Sequence, residues 1–180
     1  LDYDWSGFKE TLEVLENASI GYCYDDHYLI REVKGIRIGF VSVNEVYDGQ
    51  RVMTWLEEGY EQLRSQGCQL VIACVHWGDN HTATLTWAQK TMGDRLIDLG
   101  YDLVVGNHPH VLQAMRLYKG KMICYSLGNF CYGGSKNPAD KDSGIFQQTF
   151  TLVDGELVLD ADIRFIPCAL SSVSHKNDYH

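Results

Sequence analysis

Three histidines are the residues of this chain best placed to do chemistry together. His76 closes the apolar run 69–76, and His108 and His110 flank Pro109 just past a second apolar run, 102–106. Neutral imidazole nitrogens at the ends of strands suit divalent transition metals. A lone histidine after a strand is more often a structural hydrogen bonder. The case for a metal therefore rests on two strand ends delivering imidazoles to one place. Alternate residues of an extended segment point the same way. Pro109 fixes one backbone angle and disfavours helix at His108, so His108 and His110 are expected to be held extended and stiff.

Other polar groups cluster at the same place. Trp77, Gly78, Asp79, Asn80, Asn107 and Gln113 all border the three histidines in sequence. Asp79 is either a carboxylate orienting a ligand histidine or a plain loop acid. Gly78 would let the backbone approach a ligand closely. His81 reads as a solvated or supporting group, and His27, His175 and His180 have no such context. Asn129, in Tyr125-Ser126-Leu127-Gly128-Asn129-Phe130, either donates to a substrate oxyanion or belongs to ordinary Gly-Asn turn chemistry. Cys131 has no base arranged beside it, and Ser126 is not in a nucleophile elbow.

The elements that must position these groups are legible. Residues 69–76 form a short buried strand, expected to be covered on both faces. Residues 84–99 carry apolar groups at helical spacing, stopped by Gly100, and 102–106 read as the next strand. Strand, helix and strand make a right-handed parallel unit, which puts both strand ends on one sheet edge, where open α/β sheets bind ligands. Upstream, 36–43 read as a strand and 52–66 as an amphipathic helix ended by Gly67. Residues 8–17 read as a helix capped near Ser6 or Gly7. The remainder is antiparallel: 111–118 and 121–126 flank Lys119-Gly120, and 145–153 and 156–166 flank Asp154-Gly155, both hairpin signals. The fold class is thus α/β, a parallel βαβ core with antiparallel hairpins. Residues 1–170 are expected to form one domain, and 171–180 a polar tail.

Composition narrows the function. The chain has 180 residues and a net charge of −9, from 24 acidic and 15 basic side chains. Without clustered Lys and Arg, nucleic-acid binding is not expected. No run of about 18 apolar residues is present, so no transmembrane segment is expected, and no basic-then-apolar leader opens the chain. The six cysteines form no CxxC pair. Their even number allows an extracellular disulfide framework, but Cys74 and Cys124 sit inside apolar runs like core residues.

Three segments, in this order and spacing, resemble the bacterial capsule synthesis proteins of the CapA type, associated with poly-γ-glutamate. Val75-His76-Trp77-Gly78 is similar to that family's HWG motif. Gly106-Asn107-His108-Pro109-His110-Val111-Leu112-Gln113 is similar to its GHHPHxxQ motif, and residues 125–130 to its YSLGNF motif. The start of the chain, 1–15, is similar to the family's DYG helix. The resemblance implies a calcineurin-like metallophosphoesterase α/β sandwich, of which this chain is expected to be the C-terminal portion. By position it makes His76, His108 and His110 metal ligands for Mn, Fe or Zn, with up to two ions in a complete domain. It makes Asn129, with Trp77 and Gly78, part of the substrate pocket. Asn107 and Asn80 stand where the family carries His and Glu.

Two functions follow as expectations. One is a metal-dependent, phosphoesterase-like hydrolase of capsule or poly-γ-glutamate biosynthesis, taking a polyanionic polymer or phosphate-type substrate. The alternative is a non-catalytic polymer-binding or export component. Other capsule-synthesis proteins are the expected partners, and the resemblance implies an envelope or extracellular setting. An H-x-H amidohydrolase barrel fits poorly, since such barrels are longer and lack the late hairpins.

Overall fold

The structure, a computed structural model, describes residues 4–132, 137–158 and 162–171. It opens with helix α1, Asp4–Asn17, longer than the expected 8–17. The cap is Asp4 rather than Ser6 or Gly7: the Asp4 carboxylate accepts the Ser6 amide at 2.6 Å. Strands β1 (Leu29–Val33) and β2 (Ile36–Asn44) follow, then the short helix α2 (Glu45–Asp48) and helix α3 (Arg51–Ser65). Next come β3 (Leu70–His76), α4 (Trp87–Leu99), β4 (Leu103–Asn107), β5 (Met115–Tyr118) and β6 (Lys121–Cys124). The last strands are β7 (Asp142–Gln148), β8 (Thr151–Val153), β9 (Glu156–Val158) and β10 (Ile163–Ala169).

The main sheet has the order β1-β2-β3-β4-β6-β5. Strands β2, β3, β4 and β6 are parallel, and β1 and β5 pair antiparallel at the edges. The α/β reading with antiparallel hairpins therefore holds, with a fourth parallel strand added by β6. Three hairpins turn on two-residue loops whose residues all have positive φ: Lys34-Gly35, Lys119-Gly120 and Asp154-Gly155. This backbone twist matches that of the flanking strands. The third hairpin runs from β7 and β10 at its base to β8 and β9 at its tip.

Helices α3 and α4 pack on one face of the sheet. Val41, Val71, Ala73, Val75 and Val104 point into that layer against Val52, Leu56, Leu63 and Leu96, all buried. The opposite residues of β3, Ile72, Cys74 and His76, are only half-buried. This corrects the expectation that 69–76 are covered on both faces: the described residues cover one. The α4 terminus is well determined. Thr86 caps it and exchanges bonds with Gln89 in a capping box. All six thiols are free, so the even cysteine count reflects no disulfide framework. His175, His180 and the tail 172–180 lie outside the described residues.

Candidate functional site

Register places the ends of three parallel strands side by side. Asn44 of β2 pairs with His76 of β3, and His76 pairs with Asn107 of β4. Of the three imidazoles expected to converge, two meet directly: His108 Nδ1 and His76 Nε2 lie 2.8 Å apart. The third takes a different partner. His110 Nδ1 meets Asn129 Oδ1 at 2.7 Å, and Asn129 Nδ2 donates to the His110 carbonyl at 3.2 Å.

The expectation of an extended His-Pro-His segment is corrected. His108 has φ +111° and His110 has φ +58°, values that L residues adopt rarely. The imidazoles therefore reach the same edge through a tight irregular turn rather than by strand alternation. Local bonds hold this backbone. Asn107 Oδ1 accepts the His108 amide at 2.9 Å, and Ser126 Oγ donates to the Val111 carbonyl at 2.7 Å. The Pro109 carbonyl accepts from the His81 amide at 2.8 Å. His81 thereby comes to stack beside His110, with ring centroids 5.8 Å apart, in keeping with a supporting role.

The other expected residues fall into different places. Asn129 lines the cleft described below. Trp77 does not: it is 1% exposed, and its indole donates to the Tyr125 carbonyl at 2.8 Å. It supports the edge from beneath. Gly78 has φ +87°, and a Cβ there would meet the Gln89 side chain at 2.6 Å. The close approach seen there is to a buried glutamine. Gln113 joins the same network, accepting from Gln89 Nε2 at 2.7 Å and donating to the Thr82 carbonyl at 3.0 Å. Asp79 and Asn80 are exposed. Asp79 acts on His108 through its charge; among the described residues no hydrogen bond links it to an imidazole.

A cleft of about 630 Å³ opens over this edge. It is lined by His76, His108, His110, Asn129, Phe130 and Tyr132, and by Gly144, Ile145 and Phe146 of β7. No lysine or arginine lines it among the described residues. Burial, reinforced by the neighbouring His108 and His110, pushes the His76 imidazole down to about 4, and burial also lowers His108. Both rings are therefore neutral near pH 7, the form in which imidazole binds metal. Adjacent nitrogen ligands of one ion, with bonds of about 2.0–2.1 Å, stand roughly 3 Å apart, so the His76–His108 pair fits two positions of such a centre. Among the described residues no group of three or more His, Cys, Asp or Glu is arranged to hold an ion. Two residues of this edge were missed in the sequence. Tyr132 packs 4.9 Å from His110 and carries no local signal. Asn44 was detectable by the logic used for His76, since it ends a parallel strand.

Over 168 residues the chain is 26% identical to the capsule biosynthesis protein CapA of Bacillus anthracis, covering 81% of this chain and 41% of that protein. It is 27% identical over 151 residues to the PGA biosynthesis protein CapA of Bacillus subtilis, covering 73% of this chain and 40% of that protein. The chain thus spans about two-fifths of the length of these relatives. A crystal structure of a hypothetical protein from Thermus thermophilus is similar at a TM-score of 0.48 and 18% identity, covering 79% of this chain and 61% of that one. The bacterial capsule synthesis protein family PGA_cap matches residues 1–133, a span that includes His76, His108, His110 and Asn129, and the chain belongs to that family.

Proposed function

We propose that this chain carries part of the site of a metal-dependent, phosphoesterase-like hydrolase of capsule or poly-γ-glutamate biosynthesis. The observation that carries the reading is the 2.8 Å approach of His76 Nε2 and His108 Nδ1 at the carboxyl edge of a parallel sheet. These two imidazoles would hold a divalent ion, Mn, Fe or Zn, together with donors beyond the described residues. Such an ion, when bound, activates water and binds the oxygens of the group being transferred. His110, oriented by Asn129, faces the same cleft and is placed to hold a substrate oxygen or exchange a proton with it. The cleft has no fixed cation among its described lining residues. A polyanionic or phosphate-type substrate would therefore meet its countercharge mainly at the metal. The named roles of the two Bacillus relatives support the biosynthetic setting. A Mycobacterium tuberculosis protein 33% identical over 60 residues is called a probable polyglutamine synthesis accessory protein. Other capsule-synthesis proteins as partners, and a place at the cell envelope, belong to the same proposal. No described helix is long and apolar enough to cross a membrane.

The test is metal content of the full-length protein together with hydrolysis of a model phosphodiester and of poly-γ-glutamate. His76→Ala and His108→Ala should each lower bound metal and turnover by at least tenfold. A full-length protein that retains no Mn, Fe or Zn after reconstitution would remove the hydrolase reading. The second reading, a non-catalytic polymer-binding or export component, is favoured by Asn107 and Asn80 at the edge, two amides that cannot exchange protons near neutral pH. It gains if His108→Ala loses metal while polymer output in cells is unchanged.

A further inference from the structure

A second cavity, of about 420 Å³, lies on the other side of His76. Its walls are the rings of Trp5, Phe8, Tyr24 and Tyr47 and the carboxylates of Asp25 and Asp48. Phe8 meets Trp5 and Tyr24 edge-on, at 5.6 and 4.9 Å between centroids, so three rings make one continuous wall. Asp25 is tied to the sheet, its amide donating to the Ser42 carbonyl at 2.8 Å. Both carboxylates are half-buried, and among the described residues neither has an ion-pair partner. Asn44 also lines the cavity, and its Oδ1 is shielded from water and receives no hydrogen bond.

The wall is therefore rich in acceptors and π faces and, among the described residues, has no lysine or arginine. A matching ligand group must donate hydrogen bonds, carry positive charge and tolerate aromatic contact. An alkylammonium does all three: it has three donors and no acceptor, and ring faces attract cations. A hard divalent ion would use the oxygens but gain little from the rings. Trp5 is 64% exposed and Tyr47 72%, so the rings stand open to a ligand arriving from solvent. Burial, with the charges of Asp48 and Asp26, raises the Asp25 carboxyl above its usual range, which fits a carboxylate lacking its counter-cation.

We propose that this cavity is a subsite for a primary ammonium group of a small or peptide-like ligand, held by Asp25 and Asp48 and flanked by Trp5 and Tyr47. The proposal goes beyond the hydrolase reading and does not rest on it. Because His76 lines both cavities, a ligand anchored here by its amine would extend past His76 into the histidine cleft.

The test is a titration of the full chain followed by the Trp5 indole NMR shift. The probes are n-butylammonium chloride, its uncharged counterpart n-butanol, and calcium and magnesium chloride. Butylammonium should shift Trp5 saturably, Asp25→Asn or Asp48→Asn should weaken it tenfold or more, and Tyr47→Leu several-fold. Circular dichroism checks the fold of each variant. Equal binding of butanol would overturn the proposal. So would saturation by calcium or magnesium without butylammonium binding, or unchanged binding in both folded Asp variants.

Discussion

His76 and His108 approach so closely that one hydrogen at most lies between their facing nitrogens. Putting a proton on His76 means charging a half-buried ring beside two other imidazoles, which is why it is held down to about 4. An unfolded chain would bind that proton near the ordinary histidine value of about 6.5. Between those two values the unfolded state therefore binds more protons than the folded one. Stability must fall as pH drops through that window and level off below it. Urea midpoints measured in EDTA from pH 7.5 to 4.0 should show this loss, and His76→Gln should flatten it relative to the parent chain. An unchanged slope would remove His76 as its source. The thiols give a second prediction at this scale. Burial pushes Cys74 up to about 11 and Cys124 up to about 12, whereas Cys131 is exposed. Alkylation proceeds through the thiolate. At pH 8 iodoacetamide should label Cys131 within minutes, and Cys74 and Cys124 only after denaturant is added, as peptide mass mapping would show.

At the scale of elements, the site depends on how closely β3, β4 and the strand after β5 can pass. Gly106 of β4 is the contact point: a Cβ there would meet Trp77 Nε1 and the Tyr125 carbonyl, each at 2.2 Å. Those two atoms are bonded to each other at 2.8 Å. Gly106→Ala must therefore separate them, combining overpacking with loss of a buried hydrogen bond, at a cost of about 2–4 kcal/mol. A denaturant titration showing less than about 1 kcal/mol would mean that the edge relaxes around the methyl group. The elements were largely legible because apolar runs and helical spacing are local properties. Strands 69–76 and 102–106 delivered their histidines to one edge as expected. What could not be read was the backbone of His108 and His110. Their positive φ values depend partly on Asn129 and on the Val111–Ser126 bond, contacts 19 and 15 residues apart in sequence. Strand β1 carries little local signal: Leu29–Val33 sets two charged residues side by side between apolar ones, with no alternation, on an exposed edge. Yet Lys34-Gly35 carried the same turn signal that revealed the two later hairpins. The pairing of β6 beside β4 is a long-range fact with no local mark.

Across the whole molecule the two ends of the sheet do different work. The carboxyl end carries neutral imidazoles and open cavities. The amino end is tied by Asp102, 3% exposed, which precedes β4. Its carboxylate accepts from Arg64 of α3 at 2.8 Å, from the Val71 amide of β3 at 2.9 Å and from Lys121 of β6 at 2.9 Å. One side chain thus joins a helix and three strands. Removing its charge leaves two cations facing each other and turns an NH2 donor towards groups that donate. Asp102→Asn should therefore cost about 3 kcal/mol of stability, as for breaking a buried ion pair. The site lies at the opposite ends of the same strands, so the effect should be global rather than local. In a folded Asp102→Asn variant at low denaturant, metal content and the pH slope assigned to His76 should match the parent chain, while the urea midpoint falls. A loss of metal at full foldedness would show instead that the amino end sets strand register at the histidines. That outcome would couple the two edges of the sheet mechanically, through β3 and β4, the two strands that run from Asp102 and its Val71 bond to the imidazole pair.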